Sequence, residues 1–126
     1  MRISEIPGNA IAFRGRTYFG EKADAVFFNW TCAGFDLMFK GSKFEAEFVS
    51  SCYSDKFAAY LMVMIDSGTD QEFRHKIKLE KQKSFYVLAE NLPHGIHSLR
   101  VIKITECQYA TAGITQINCD GELIEL

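Results

Sequence analysis

The octapeptide FRHKIKLE, Phe73 to Glu80, puts Phe73, His75, Ile77 and Leu79 on one phase and Arg74, Lys76, Lys78 and Glu80 on the other. A period of two sends successive side chains to opposite faces of a strand, so this segment reads as a half-buried β-strand. The pattern recurs along the chain. In SKFEAEFVS, Phe44, Ala46 and Phe48 are expected to face inward, with Glu45 and Glu47 on a solvated outer face. In FDLMFK, Phe35, Leu37 and Phe39 oppose Asp36, Met38 and Lys40. KSFYVLAE sets Phe85, Val87 and Ala89 on one phase, expected inward. AYLMVMI, Ala59 to Ile65, alternates nothing and reads as a central strand covered on both faces.

Turn signals separate these runs. Gly41-Ser42 reads as a tight hairpin, and Asp66-Ser67-Gly68-Thr69-Asp70 as a loop between strands. Pro93-His94-Gly95 and Asp120-Gly121 are further turns. No stretch carries a capped helical period. About nine or ten short strands at regular spacing predict an all-β fold, an antiparallel two-sheet β-sandwich of the jelly-roll kind.

A chain of 126 residues predicts one domain with a core of its own. Net charge is −2 and no basic tract occurs, which argues against nucleic acid as a partner. The longest apolar run, Phe57 to Ile65, is too short to span a bilayer, so no membrane partner is expected. MRISEIPGNA has no signal-peptide core, which favours the cytoplasm unless a secreted parent has lost its leader. Cys32, Cys52, Cys107 and Cys119 contain no C-x-x-C pair, so zinc spacing is absent and free thiols are expected.

The chemistry-bearing residues are sparse. His75 alternates with apolar residues and is expected inward as a hydrogen-bonded core histidine. His94 and His97 sit three apart, but no third ligand accompanies them and zinc needs one. Ser67 lacks both the Gly-Asp-Ser and the G-x-S-x-G setting of an activated serine. Cys107 reads as a packed thiol. Glu45 and Glu47 stand about 7 Å apart on one strand face, a separation of interest for glycosidic chemistry. Asp66, Asp70 and Glu72 are the calcium candidates of their loop, without EF-hand spacing. The stripe Arg74, Lys76 and Lys78 reads as a solvated face. Trp30, Tyr18, Tyr53 and Tyr109 fall near strand ends or loops, where a ring could stack on a sugar. They are the carbohydrate-binding candidates. No cofactor is called for.

One stretch carries more than a turn. LPHGIHSLRVIKITE, with YLMVMIDSG before it and ITQINCDGELIE after it, resembles the N-terminal jelly-roll domain of carbohydrate esterase family two and related SGNH-hydrolase (GDSL-type) acetyl esterases. Leu92, Pro93, Gly95, His97, Thr105 and Glu106 match its central motif, and Trp30, Gly34, Phe39 and Gly41 its opening. The likeness runs from about Asn9 to Glu125, and departs where Ser67 precedes Gly68. It implies a two-part parent, with a catalytic SGNH domain that removes acetyl groups from plant polysaccharides. Neither the Gly-Asp-Ser nor the Asp-x-x-His block of that domain occurs here. Residues 1–126 are therefore expected to be a single non-catalytic accessory domain. Its expected partners are a downstream esterase domain in the same polypeptide and a polysaccharide. The alternatives are a free-standing carbohydrate-binding module, or a structural sandwich that pairs through an exposed edge strand.

Overall fold

The computed structural model of the chain describes residues 1–52, 58–105 and 110–126. Over these residues a short 3-10 turn, Ile3–Glu5, precedes eleven strands. They are β1 (Ile11–Arg14), β2 (Tyr18–Gly20), β3 (Ala25–Phe27), β4 (Gly34–Gly41), β5 (Phe44–Val49) and β6 (Tyr60–Ile65), then β7 (Phe73–Lys78), β8 (Lys83–Ala89), β9 (Gly95–Lys103), β10 (Gly113–Cys119) and β11 (Glu122–Ile124). One sheet has the order β1-β4-β9-β6-β7, with β11 also paired to β4; the other has the order β2-β3-β10-β5-β8. Every pairing is antiparallel. Only the β2–β3 and β6–β7 connections stay within a sheet. All others cross the sandwich, as in a jelly roll.

The inward phases of both sheets form one core. Phe28, Phe35, Phe39, Phe44 and Phe48 are fully buried there with Leu61, Val63, Leu99 and Val101. Phe28 meets Phe35 and Phe48 edge-on, with centroids 5.9 and 6.2 Å apart, and Phe39 packs on Phe44 at 5.0 Å. Such tilted and edge-on contacts are the favoured aromatic geometry, and each buried ring contributes roughly 1.5–3 kcal/mol by area. Gly34 lets β4 and β9 approach: a Cβ there would stand 1.8 Å from the Val101 carbonyl oxygen.

Four expectations are corrected. Gly41-Ser42 is not a hairpin, because β4 and β5 belong to different sheets. It is a corner. Gly41 adopts φ +152°, and Asp120 accepts hydrogen bonds from the N–H groups of Ser42 (2.9 Å) and Lys43 (3.1 Å) and from the Ser42 hydroxyl. Phe85 and Val87 face outward, while Tyr86 and Leu88 pack on the core. Leu88 is the extra residue of a bulge: Ala89 pairs with Phe44 and Val87 with Glu45, so the phase reverses between them. Phe73 is on the inward phase of β7 yet 55% exposed, because β7 is an edge strand. Glu47 points outward but is 9% exposed, not solvated.

β6 is interior, between β9 and β7, and its inner residues Leu61, Val63 and Ile65 are buried. Its outer residues are less covered: Met62 is half-buried, Met64 9% exposed and Tyr60 38% exposed. Ile102, on the outer phase of β9, is half-buried as well.

Candidate functional site

The stretch LPHGIHS forms a clamp. His97 opens the inward phase of β9 and is 8% exposed. Its Nδ1 donates to the Asp66 carboxylate (2.7 Å) and its Nε2 to the Pro93 carbonyl (2.6 Å). Both partners are acceptors, so the pocket favours the doubly protonated imidazolium form of the ring. Burial works against that charge, but the Pro93 carbonyl and the Asp66 carboxylate outweigh it and hold the His97 pKa above its ordinary value. Asp66, at φ +54°, also accepts from the Ser98 N–H (3.1 Å). The clamp ties the loop after β6 to the turn before β9. His94, by contrast, lies exposed on the surface.

The calcium candidates do not converge. Asp66 is turned to His97, and Glu72 accepts from the Ser67 hydroxyl (3.1 Å) and Arg74 (3.2 Å). Among the described residues, no three His, Cys, Asp or Glu side chains gather closely enough to hold a metal ion. The carboxylates Glu45 and Glu47 are likewise engaged. Glu47 accepts from the Thr115 hydroxyl (2.7 Å) and the Gln116 amide (3.0 Å), and Glu45 from Asn118 (3.2 Å). Burial alone would raise the Glu47 pKa; the bonds from Gln116 and Thr115, with Lys83 nearby, lower it. His75 is half-buried, and its Nε2 donates to the Leu88 carbonyl (2.7 Å), linking β7 to β8 across the open side of the sandwich. Cys32, Cys52 and Cys119 are free thiols. Thr105 accepts at its carbonyl from Thr31 (3.0 Å) and from the fully buried Lys103 (2.7 Å).

Of the aromatic candidates, Tyr18 and Trp30 are brought together; Tyr53 and Tyr109 lie outside the described residues, as do Glu106 and Cys107. Tyr18 is 47% exposed on the outer face of β2. It stacks on Phe27 of β3 (5.2 Å, 22°) and meets Trp30 edge-on (6.3 Å, 76°). The Tyr18 hydroxyl oxygen accepts from Asn29 (3.1 Å), which leaves its own proton free to donate outward. The Asn29 carbonyl oxygen accepts in turn from the Ala112 N–H (3.0 Å). Arg16 lies over the Trp30 ring at 5.0 Å. Phe27, Asn29 and Arg16 were not singled out from the sequence. The signal for Phe27 was the glycines beside it: a Cβ on Gly20 or Gly113 would come within 2.7 or 2.8 Å of its ring. The group can present flat apolar faces, a hydroxyl donor and a guanidinium to a ligand.

The described residues thus define a two-sheet jelly-roll domain with internal polar clamps and one aromatic surface group. The sequence matches the family described as "Carbohydrate esterase 2 N-terminal" over residues 13–125, and the chain belongs to that family. No curated protein matches it. Among solved structures it is similar to a family two carbohydrate esterase from Cellvibrio japonicus, at 21% identity and a TM-score of 0.80, covering 99% of this chain and 34% of that one. An acetyl xylan esterase from the rumen bacterium Butyrivibrio proteoclasticus is similar at 15% identity and a TM-score of 0.81, covering 100% of this chain and 33% of that one. The chain therefore spans about a third of the length of these esterases. TmCBM61, solved in complex with beta-1,4-galactotriose, is similar at 7% identity and a TM-score of 0.50, covering 92% of this chain and 87% of that one. At these identities the likeness is one of fold.

Proposed function

We propose that this domain is the non-catalytic N-terminal part of an SGNH-type carbohydrate acetyl esterase, supporting a catalytic domain that follows it. The observation that carries the reading is the family match over residues 13–125, in a family named for its N-terminal position. The chemistry is consistent with it. Ser67 is a loop hydroxyl bonded to Glu72, and His97 spends both ring nitrogens on Asp66 and Pro93. Neither is poised as nucleophile or base. The test is acetyl-ester hydrolysis, with 4-nitrophenyl acetate and acetylated xylan as substrates. The 126-residue chain is expected to be inert and the longer polypeptide encoded with it active. Hydrolysis by the 126-residue chain would sink the reading.

A second reading, glycan contact through Tyr18 and Trp30, is favoured by the exposed, partly stacked rings and the free Tyr18 proton. The fold likeness to a module solved with galactotriose supports it. Trp30 is the single tryptophan, so its fluorescence reports on the group directly. Titration with xylo-, manno-, cello- and galacto-oligosaccharides is expected to shift it. Tyr18→Ala should then weaken binding about two- to tenfold, the worth of one aromatic contact. No response to any of the four sugars counts against this second role.

A further inference from the structure

The outer face of the six-stranded sheet is unlike an ordinary solvated face. Antiparallel register places its outward residues in rows. One row runs Arg14, Gly34, Ile102, Met62 and Lys76; the next runs Ala12, Asp36, Arg100, Met64 and Arg74. Beside them, Tyr60 stands opposite Lys78, and Met38 lies between Ser98 and Ile124. Three of the four methionines thus share this one face with Ile102 and Ile124. Methionine surfaces adapt to a partner's shape, and they are over-used where proteins meet. The cations have a pattern too. Arg100 and Arg14 are both spent on Asp36, whose carboxyl they hold below its usual pKa although burial would raise it. Arg74, Lys76 and Lys78 line the far border on β7, with Arg74 bonded to Glu72.

The chain runs towards this face at its end. Leu126 lines a cavity of about 290 Å³ with Asp36, Met38, Ser98 and Arg100, while its N–H bonds the Asn9 carbonyl (2.9 Å). Solved relatives are about three times as long as this chain. A polypeptide continuing past Leu126 would begin on this face.

We infer that the outer face of the six-stranded sheet, centred on Met62 and Ile102, is the docking surface for the domain that follows Leu126. The matching patch on that domain would be apolar at its centre, with carboxylates set towards Lys76 and Lys78. This rests on the proposed function, since it takes the following domain from that reading. It adds which side of the sandwich is used.

Methionine oxidation tests it. The 126-residue chain and the longer polypeptide are treated with dilute hydrogen peroxide, and sulfoxide formation is followed residue by residue. Met38 and Met62 should oxidise about tenfold more slowly in the longer polypeptide, with Met1, 56% exposed here, as the comparison. As a second variant, Met62→Lys in the longer polypeptide should speed proteolytic cleavage between the domains. Equal Met62 rates in the two forms overturn the inference, as does protection centred on Phe85 and Tyr18 instead. Acetyl-ester hydrolysis with an unprotected Met62 defeats the docking face and leaves the esterase reading standing. Protection without hydrolysis does the reverse. A polypeptide that stops at Leu126 overturns both.

Discussion

On the six-stranded sheet, the outward phase carries Tyr60, Met62, Met64 and Ile102 between rows of cations. On the five-stranded sheet, the outward phase of its middle carries Glu45, Glu47, Gln116 and Asn118, bonded to one another across β5 and β10. The inner faces obey one rule and share one core. The difference lies in the middle of each outer face. The five-stranded sheet pairs polar groups there and leaves its exposed apolar residues, Tyr18, Phe85 and Val87, on its edge strands β2 and β8, whereas the six-stranded sheet has half-covered apolar residues on its interior strands β6 and β9. A centre of the first kind is finished within the domain. A centre of the second kind has surface left to bury, and burial is the main driving term of association.

Experiments that sharpen this contrast can be ordered by size. Phe48→Ala removes a ring common to both inner faces and should cost about 3–5 kcal/mol in denaturant unfolding. His97→Gln leaves the Asp66 carboxylate without its charged partner and should cost about 1.5–3 kcal/mol. That loss should depend on pH. The folded pKa of His97 is raised above its unfolded value near 6.5, so the clamp's contribution is complete below that pH and fades as pH rises through the folded value. Melting temperatures of the native chain should therefore fall on going from pH 6 to pH 9, and the variant should show a flatter profile. Glu47→Ala should cost about 1–2 kcal/mol by leaving Thr115 and Gln116 short of an acceptor. Met62→Gln, on the other face, should change the stability of the 126-residue chain by less than about 0.5 kcal/mol. Equal costs for Glu47→Ala and Met62→Gln would erase the distinction between the faces.

Asp120 supplies an acid-side counterpart. Its carboxyl is pulled down to about 2 by the Ser42 hydroxyl and the N–H groups of Ser42 and Lys43. Its contribution is present above the unfolded value near 3.9 and lost as pH falls through about 2. Between pH 4 and 2, Asp120→Asn should lose less stability than the native chain does.

Periodicity made most of this architecture legible. The inward sets of β4 and β5 stand as expected, because each strand carries large apolar residues on one phase only. β8 was misread because both of its phases are apolar, Phe85 and Val87 against Tyr86 and Leu88. The bulge that decides between them leaves no local mark. The Gly41-Ser42 corner was misread because two residues between strands look alike whether the chain turns back within a sheet or passes to the other one. What separates the cases is Asp120, almost eighty residues away. Of the site, the sequence offered Tyr18 and Trp30 as separate rings. Their meeting depends on the β2–β3 pairing, which places Tyr18 beside Phe27. His97 stands out in the sequence as a histidine of the family motif lacking the ligands of a zinc site, while its partner Asp66 reads as one of three calcium candidates; their pairing rests on a contact 31 residues apart.

β10 occupies the middle of the five-stranded sheet, between β3 and β5, and its Ile117 exchanges backbone hydrogen bonds with Met1 (2.8 Å each). During synthesis at about 5–20 residues per second, β5 emerges several seconds before β10 does. Throughout that interval one edge of β5 is open, with Phe44, Ala46 and Phe48 along its inner side. Glu45 and Glu47 then stand unpaired on the same strand, and a strand edge marked by two negative charges is a poor template for another nascent chain. The carboxylates that knit the mature sheet are thus also the residue type that guards a strand edge awaiting its partner.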